Sequence, residues 1–124
     1  MQVNLSEGEW KLMNCLWARS PMTIMALTAA LNPETGWSKH TVITMLSRLE
    51  AKGAVRYEEG GRAKQYFPQI LREDAAQTET ASFLGKVYGG SLGLMMSAMV
   101  ESNALTEGEI AELSAILERG RKDP

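Results

Sequence analysis

Residues 37–68 read Trp37-Ser38-Lys39-His40-Thr41-Val42-Ile43-Thr44-Met45-Leu46-Ser47-Arg48-Leu49-Glu50-Ala51-Lys52-Gly53-Ala54-Val55-Arg56-Tyr57-Glu58-Glu59-Gly60-Gly61-Arg62-Ala63-Lys64-Gln65-Tyr66-Phe67-Pro68. Ser38 is an N-cap residue for a helix whose apolar positions Val42, Met45, Leu46 and Leu49 follow the i, i+3, i+4, i+7 spacing of one buried face. Gly53 suits the left-handed residue just past the helix end. Ala54–Glu59 and Arg62–Phe67 then read as strands joined by Gly60-Gly61, a pair suited to a tight type I′ or II′ turn. Pro68, with no N–H for a ladder, ends the second strand.

Upstream, Ser6-Glu7-Gly8-Glu9 is a capping box, and Trp10, Met13, Leu16 and Trp17 recur at helical spacing. A first helix therefore runs from about Ser6 to Arg19 and stops at Ser20-Pro21. Thr23 caps a short second helix with Ile24, Leu27 and Leu31 on its apolar side. Asn32-Pro33-Glu34-Thr35-Gly36 reads as a turn-rich break and Trp37 as a short extended segment. Three helices and a hairpin in about 68 residues is the winged helix-turn-helix order, in which the third helix enters the DNA major groove and the hairpin flanks it. The fold class expected is mainly α with a small β-hairpin wing.

Downstream the chain is helical. Glu73 to Tyr88 carries Ala76, Phe83, Leu84, Val87 and Tyr88, and Gly89-Gly90 breaks it. Ser91 to Ser102 carries Leu92, Met95, Met96, Met99 and Val100. Thr106-Glu107-Gly108-Glu109 is a second capping box, followed by Ile110, Leu113 and Leu117 and a polar, frayed tail from Arg119 to Pro124. The division expected is a winged-helix domain over 1–70 and a helical dimerisation region over 71–124. Amphipathic helices with little to bury against in their own chain are satisfied by the same helices of a second copy, giving a twofold dimer.

The 124 residues carry a net charge of −2 that hides an asymmetry. Residues 38–72 hold seven bases against three acids, a net of +4, between flanks of −1 and −5. A basic middle on a winged helix is an electrostatic footprint for a polyanion. One cysteine, Cys15, excludes an intrachain disulfide framework, and one histidine, His40, leaves little for a metal centre, so no metal and no cofactor are expected. No paired carboxylates or nucleophile sets suggest catalysis, and an enzyme is the least favoured class. With no run near the ~18 apolar residues of a membrane span and no signal-peptide pattern, a cytoplasmic protein without direct membrane binding is expected.

The outward face of the third helix holds His40, Thr44, Ser47 and Ala51, flanked by Thr41, Ile43 and Arg48. These short polar side chains suit close approach to base edges, and arginine is the commonest reader of guanine. The DNA-binding set expected is Ser38, Lys39, His40, Thr41, Ile43, Thr44, Ser47 and Arg48 on the helix, with Arg62 and Lys64 sharing one strand face of the wing; Arg56 is a further base on the other strand. Two alternatives compete. A winged-helix interaction module that ignores DNA would carry glutamates at positions such as 62 and 64. A small-molecule-gated regulator would use the methionine stripe to line a pocket. Cys15 reads as an inert thiol.

The Trp37–Leu49 string, with Lys52-Gly53, Glu9-Trp10, Met13, Trp17, Phe83-Leu84, Tyr88, Leu105-Thr106 and the Ile110–Leu117 helix, resembles the penicillinase repressor (BlaI/MecI/CopY) family over essentially the whole chain. The resemblance implies a homodimeric repressor of double-stranded, dyad-symmetric operators, often with TACA/TGTA half-sites, controlling antibiotic resistance, copper handling or other envelope functions. In the antibiotic-responsive branch a membrane-bound sensor metalloprotease acts indirectly, and the repressor is cleaved in its dimerisation region. The matching bond here is Ala98-Met99. Lys39 and His40 depart from the Pro-Lys that often opens the family's helix, Ile43 replaces a common Arg or Gln, and the cysteine cluster of the copper branch is absent.

Overall fold

The computed structural model describes residues 3–122. The elements are α1 (Glu7–Ala18), α2 (Ile24–Thr35), α3 (Lys39–Ala51), β1 (Val55–Glu59), β2 (Lys64–Pro68), α4 (Arg72–Tyr88), α5 (Leu92–Glu101) and α6 (Glu107–Lys122). The chain divides into two compact units between Thr80 and Ala81.

In the first unit Leu12, Met13 and Leu16 of α1, Leu27 and Leu31 of α2, and Val42, Leu46 and Leu49 of α3 converge on one core. Val3 and Leu5 close it from the N-terminal side, Val55 and Tyr66 from the hairpin, and Ala75 from α4. Both Ser6 bonds of the first capping box form: its hydroxyl accepts from the Glu9 N–H at 3.2 Å, and its own N–H donates to the Glu9 carboxylate at 2.7 Å. α3 ends in a Schellman arrangement, with Gly53 N–H on the Glu50 carbonyl, Ala54 N–H on the Leu49 carbonyl, and Gly53 at φ +79°.

Three expectations are corrected. Residues 32–35 are the last turn of α2 rather than a break. Pro33 forfeits only its own bond to the preceding turn, and the helix ends at Gly36, whose φ is +70° and whose N–H reaches the Asn32 carbonyl at 2.8 Å. The hairpin connection is four residues, Gly60 to Ala63, because Glu59 pairs with Lys64 and Tyr57 with Tyr66. Tyr66 also exchanges both backbone bonds with Met22, at 3.1 and 2.8 Å, so a third edge seats β2 and overrides the local turn preference of Gly60-Gly61. Arg62 consequently lies in the wing loop and does not share a strand face with Lys64. Finally, α6 continues to Lys122 where a frayed tail was expected, since Leu117 to Lys122 offers strong helix formers around one tolerated glycine. Asp123 and Pro124 lie outside the described residues.

Trp37 enters no strand pairing among the described residues. It is partly buried against the core, and its ring lies beside Gly8, where a Cβ would meet it at 3.3 Å.

In the second unit Gly89 and Gly90 take φ of +59° and +88°, which lets the chain turn from α4 into α5. Ser91 caps α5, and the Thr106–Glu109 box caps α6 with both reciprocal bonds. Phe83 and Tyr88 pack edge to face at 6.1 Å. Among the described residues, no side chain of α5 or α6 is buried.

Candidate nucleic-acid interface

α3 presents Lys39, His40, Ile43, Ser47 and Arg48 exposed, with Thr41 and Thr44 half-buried. The hydroxyls near its start already have partners. Ser38 caps the Thr41 N–H and lies 3.3 Å from the Thr41 hydroxyl. Thr44 donates to the His40 carbonyl at 3.1 Å, leaving its oxygen free to accept. Ile43 is 38% exposed, an apolar patch on an otherwise polar face.

The wing supplies cations in two different states. Arg62 and Lys64 line a cleft of about 330 Å³ together with Lys39 and with Thr23, Ile24 and Met25 at the start of α2. Lys64 also sits over the Tyr57 ring at 4.2 Å. Among the described residues none of Lys39, Arg48, Arg62 and Lys64 has a carboxylate partner. Arg56, on the opposite face of β1, is engaged: it donates to Glu58 at 2.6 Å and lies over Phe67 at 4.2 Å. Lys52 is engaged too, with its Nζ 2.5 Å from Glu9 Oε1 and 2.8 Å from the Asn4 carbonyl. Of the seven bases of the +4 segment, Lys39, Arg48, Arg62 and Lys64 thus stand unpaired around α3 and the wing, Lys52 and Arg56 are held in ion pairs, and Arg72 opens α4. Met25, 74% exposed, lies beside Lys39 and is absent from the set the sequence predicts; a lone apolar residue on the exposed side of α2 is its only signal.

Burial alone would raise the Glu9 carboxyl, but the hydrogen bonds from Lys52 and Ser6 outweigh it and hold the pKa below the ordinary value of 4.5. Burial pushes the Cys15 thiol up, and its Sγ lies 3.6 Å from Met22 Sδ, the environment of an inert thiol. Trp10 and Trp17 pack on the core with ring centroids 5.8 Å apart, and Trp17 Nε1 donates to the Ile70 carbonyl at 3.0 Å.

In the second unit Phe83, Val87, Leu92, Val100, Ile110 and Leu117 are exposed, while Leu84, Tyr88, Met95, Met96, Met99 and Leu113 are half-buried. Leu94 and Ile116 are also exposed. Both lie off the apolar stripes that helical spacing predicts. Ala98 and Met99 sit inside α5, where the Ala98 carbonyl accepts from the Ser102 N–H.

The family model for penicillinase repressors matches residues 5–119. The chain belongs to the penicillinase repressor family. The penicillinase repressor of Bacillus licheniformis is 34% identical over 92% of this chain and 89% of that protein. The methicillin resistance regulatory protein MecI of Staphylococcus aureus is 27% identical over 93% of this chain and 94% of that one. Among solved structures, the Bacillus licheniformis BlaI monomer in complex with the blaP half-operator matches at a TM-score of 0.52 and 32% identity, covering 57% of this chain and 87% of that one. The winged-helix architecture follows from the helix order, the hairpin and that match. As a member of this family the chain is a DNA-binding repressor and not an enzyme. No single described helix is long and apolar enough to cross a membrane.

Proposed function

We propose that this repressor acts as a homodimer on a dyad-symmetric operator, with each winged helix on one half-site and the C-terminal helices joining the two copies. The observation that carries the reading is the cluster of unpaired cations, Lys39, Arg48, Arg62 and Lys64, around an exposed polar α3. It occurs in a head whose fold matches a repressor solved on half-operator DNA. Thr44, Ser47 and Arg48 read base edges, Ile43 meets a thymine methyl, and Lys39, Arg62 and Lys64 hold phosphate. The exposed apolar side chains of α5 and α6 support pairing with a second copy, since so many large hydrophobics left uncovered by their own chain in one short unit mark an interaction surface.

Release proceeds in the cytoplasm by cleavage at Ala98-Met99, triggered indirectly by a membrane-bound sensor metalloprotease. Such a cut separates Met99, Val100 and all of α6 from the head, and with them part of the apolar area proposed to hold the dimer. A monomer then loses the gain from gripping two half-sites at once.

Binding to a TACA/TGTA dyad and to a scrambled duplex, each titrated with salt, tests the reading. Specific binding should exceed scrambled binding and fall steeply with salt. Arg48→Ala should relax base preference at a cost of about 1–3 kcal/mol, whereas Arg62→Ala and Lys64→Ala should each weaken both duplexes and lower the salt slope by about one. Equal affinity for the two duplexes at every salt concentration would sink it.

A further inference from the structure

We propose that the Glu9–Lys52 ion pair is the positioning device for base reading: it holds α3 in the one seating from which Thr44, Ser47 and Arg48 reach the bases. The inference rests on the DNA-binding reading above and concerns residues that lie off the DNA-facing surface.

Lys52 is the C-cap of α3, directly after the reading face. Its ammonium joins the Glu9 carboxylate and the Asn4 carbonyl, while the same carboxylate accepts from the Ser6 N–H. Three pieces of chain, the N-terminal segment, the first turn of α1 and the end of α3, therefore meet at one charge-assisted junction. Glu9 is only 2% exposed. A second contact lies one residue away: a Cβ on Gly8 would stand 2.7 Å from Met45 Cε, so α1 comes close to the middle of α3 as well as its end.

Stability alone does not require this buried charge. An apolar pair of the same volume generally serves as well, because desolvation offsets most of the attraction. What the ion pair adds is direction. Val42, Leu46 and Leu49 hold α3 against the core by burial, which is non-directional and tolerates small slides and rotations along the helix axis. The Lys52 ammonium restrains both, because it is tied at once to the Asn4 carbonyl and to a Glu9 carboxylate that the Ser6 N–H also holds, so a displaced α3 must stretch bonds to two separate segments. Reading a base edge has the same narrow tolerance, a few tenths of an ångström around 2.7–3.2 Å. Phosphate contacts from lysine and arginine stems follow a displaced helix easily. A loosened α3 therefore loses base discrimination first and backbone affinity last. The junction also keeps Lys52 away from the DNA phosphates.

The experiment uses the full chain with Lys52→Met, Glu9→Gln and Lys52→Arg, on the TACA/TGTA dyad and a scrambled duplex, well below each variant's melting temperature. Lys52→Met should reduce the ratio of specific to scrambled affinity at least tenfold, with scrambled binding within twofold of wild type and the salt slope unchanged. Lys52→Arg, which keeps charge and donors, should restore the ratio. Glu9→Gln keeps size and an acceptor for Ser6, so it preserves the fold if Lys52→Met does not; it leaves Lys52 only a neutral acceptor and should show a smaller loss of discrimination in the same direction. A lower melting temperature with an unchanged ratio would make the pair purely structural and overturn the proposal. Equal weakening on both duplexes with a shallower slope would instead make Lys52 a phosphate contact and overturn it too. Failure of the DNA-binding reading itself shows separately, as a wild type without preference for the dyad.

Discussion

Leu16 and Leu117 both stand on the apolar stripe of a helix opened by a capping box, yet Leu16 has no exposed surface and Leu117 is 62% exposed. The capping boxes diverge in the same way. Glu9 is sealed beneath Lys52, whereas Glu109 faces water. Helix chemistry is therefore equivalent in the two units, and what differs is what the chain can bring to the other side. Around Leu16, three helices, a hairpin, the N-terminal segment and the start of α4 converge. Around Leu117 nothing of comparable size is supplied, and α5 and α6 leave no described side chain buried. The same amphipathic pattern is a core where the chain closes on itself and an exposed apolar face where it does not.

The sharpest test of that contrast is a matched pair of truncations. Leu16→Ala should cost about 2–5 kcal/mol of stability in urea unfolding, the range for a leucine cut from a packed core. Leu117→Ala should leave the unfolding of the first unit within about 0.5 kcal/mol of wild type and act on self-association instead. Similar unfolding costs at the two leucines would break the comparison.

Next in size is removal of the C-terminal part of the second unit's exposed apolar face. A 1–98 fragment should unfold with the wild-type midpoint for the head and bind an isolated half-site unchanged. On the full dyad its affinity should fall about 100-fold or more, about 2.7 kcal/mol, through loss of bivalency. Undiminished dyad binding would show that the C-terminal helices are not the control element.

Placing charge on the face without cutting it should have a milder effect. Met95→Glu with Met99→Glu is expected to weaken self-association at least tenfold, since each carboxylate would be desolvated in the contact. Sedimentation over a micromolar concentration series reads the shift, and a wild type that is already monomeric there would end the dimer reading.

The smallest expected effect separates the two capping boxes by pH. Glu9 and Glu109 both have folded pKa values held below the ordinary 4.5, Glu9 by Lys52 and Ser6 against the opposing effect of burial, Glu109 by its bonds with Thr106. A lowered carboxylate stabilises above its unfolded pKa, and the contribution is lost as pH falls through the folded value. Head stability should therefore decline below about pH 4.5. Glu9→Gln should flatten that decline, while Glu109→Gln should leave the head's profile unchanged. Urea midpoints from neutral pH down to about pH 3 measure it.

Much of this was legible in order and chemistry alone. Both capping boxes, the Thr23 and Ser38 caps, the Gly53 stop, the Gly89-Gly90 break and the helix–helix–helix–hairpin order are local: each depends on a few neighbouring residues whose propensities agree with the fold. The polar outward face of α3 was legible for the same reason, since helical periodicity assigns faces without reference to any partner. The resemblance carried by Trp37 to Leu49 and its flanking positions likewise pointed to the family.

Tertiary structure decided the rest, wherever two segments distant in sequence compete with a local preference. Tyr66 bonds Met22 across the chain, and that pairing set the wing register, lengthened the turn and moved Arg62 into the loop. The seven bases of the central segment looked equivalent by composition, yet Glu9 from α1 engages Lys52, and Arg56 is taken up by Glu58 and Phe67. Long-range charge pairing has no periodicity to betray it. Periodicity says which way a side chain points, and only the packed chain says whether another group is already there.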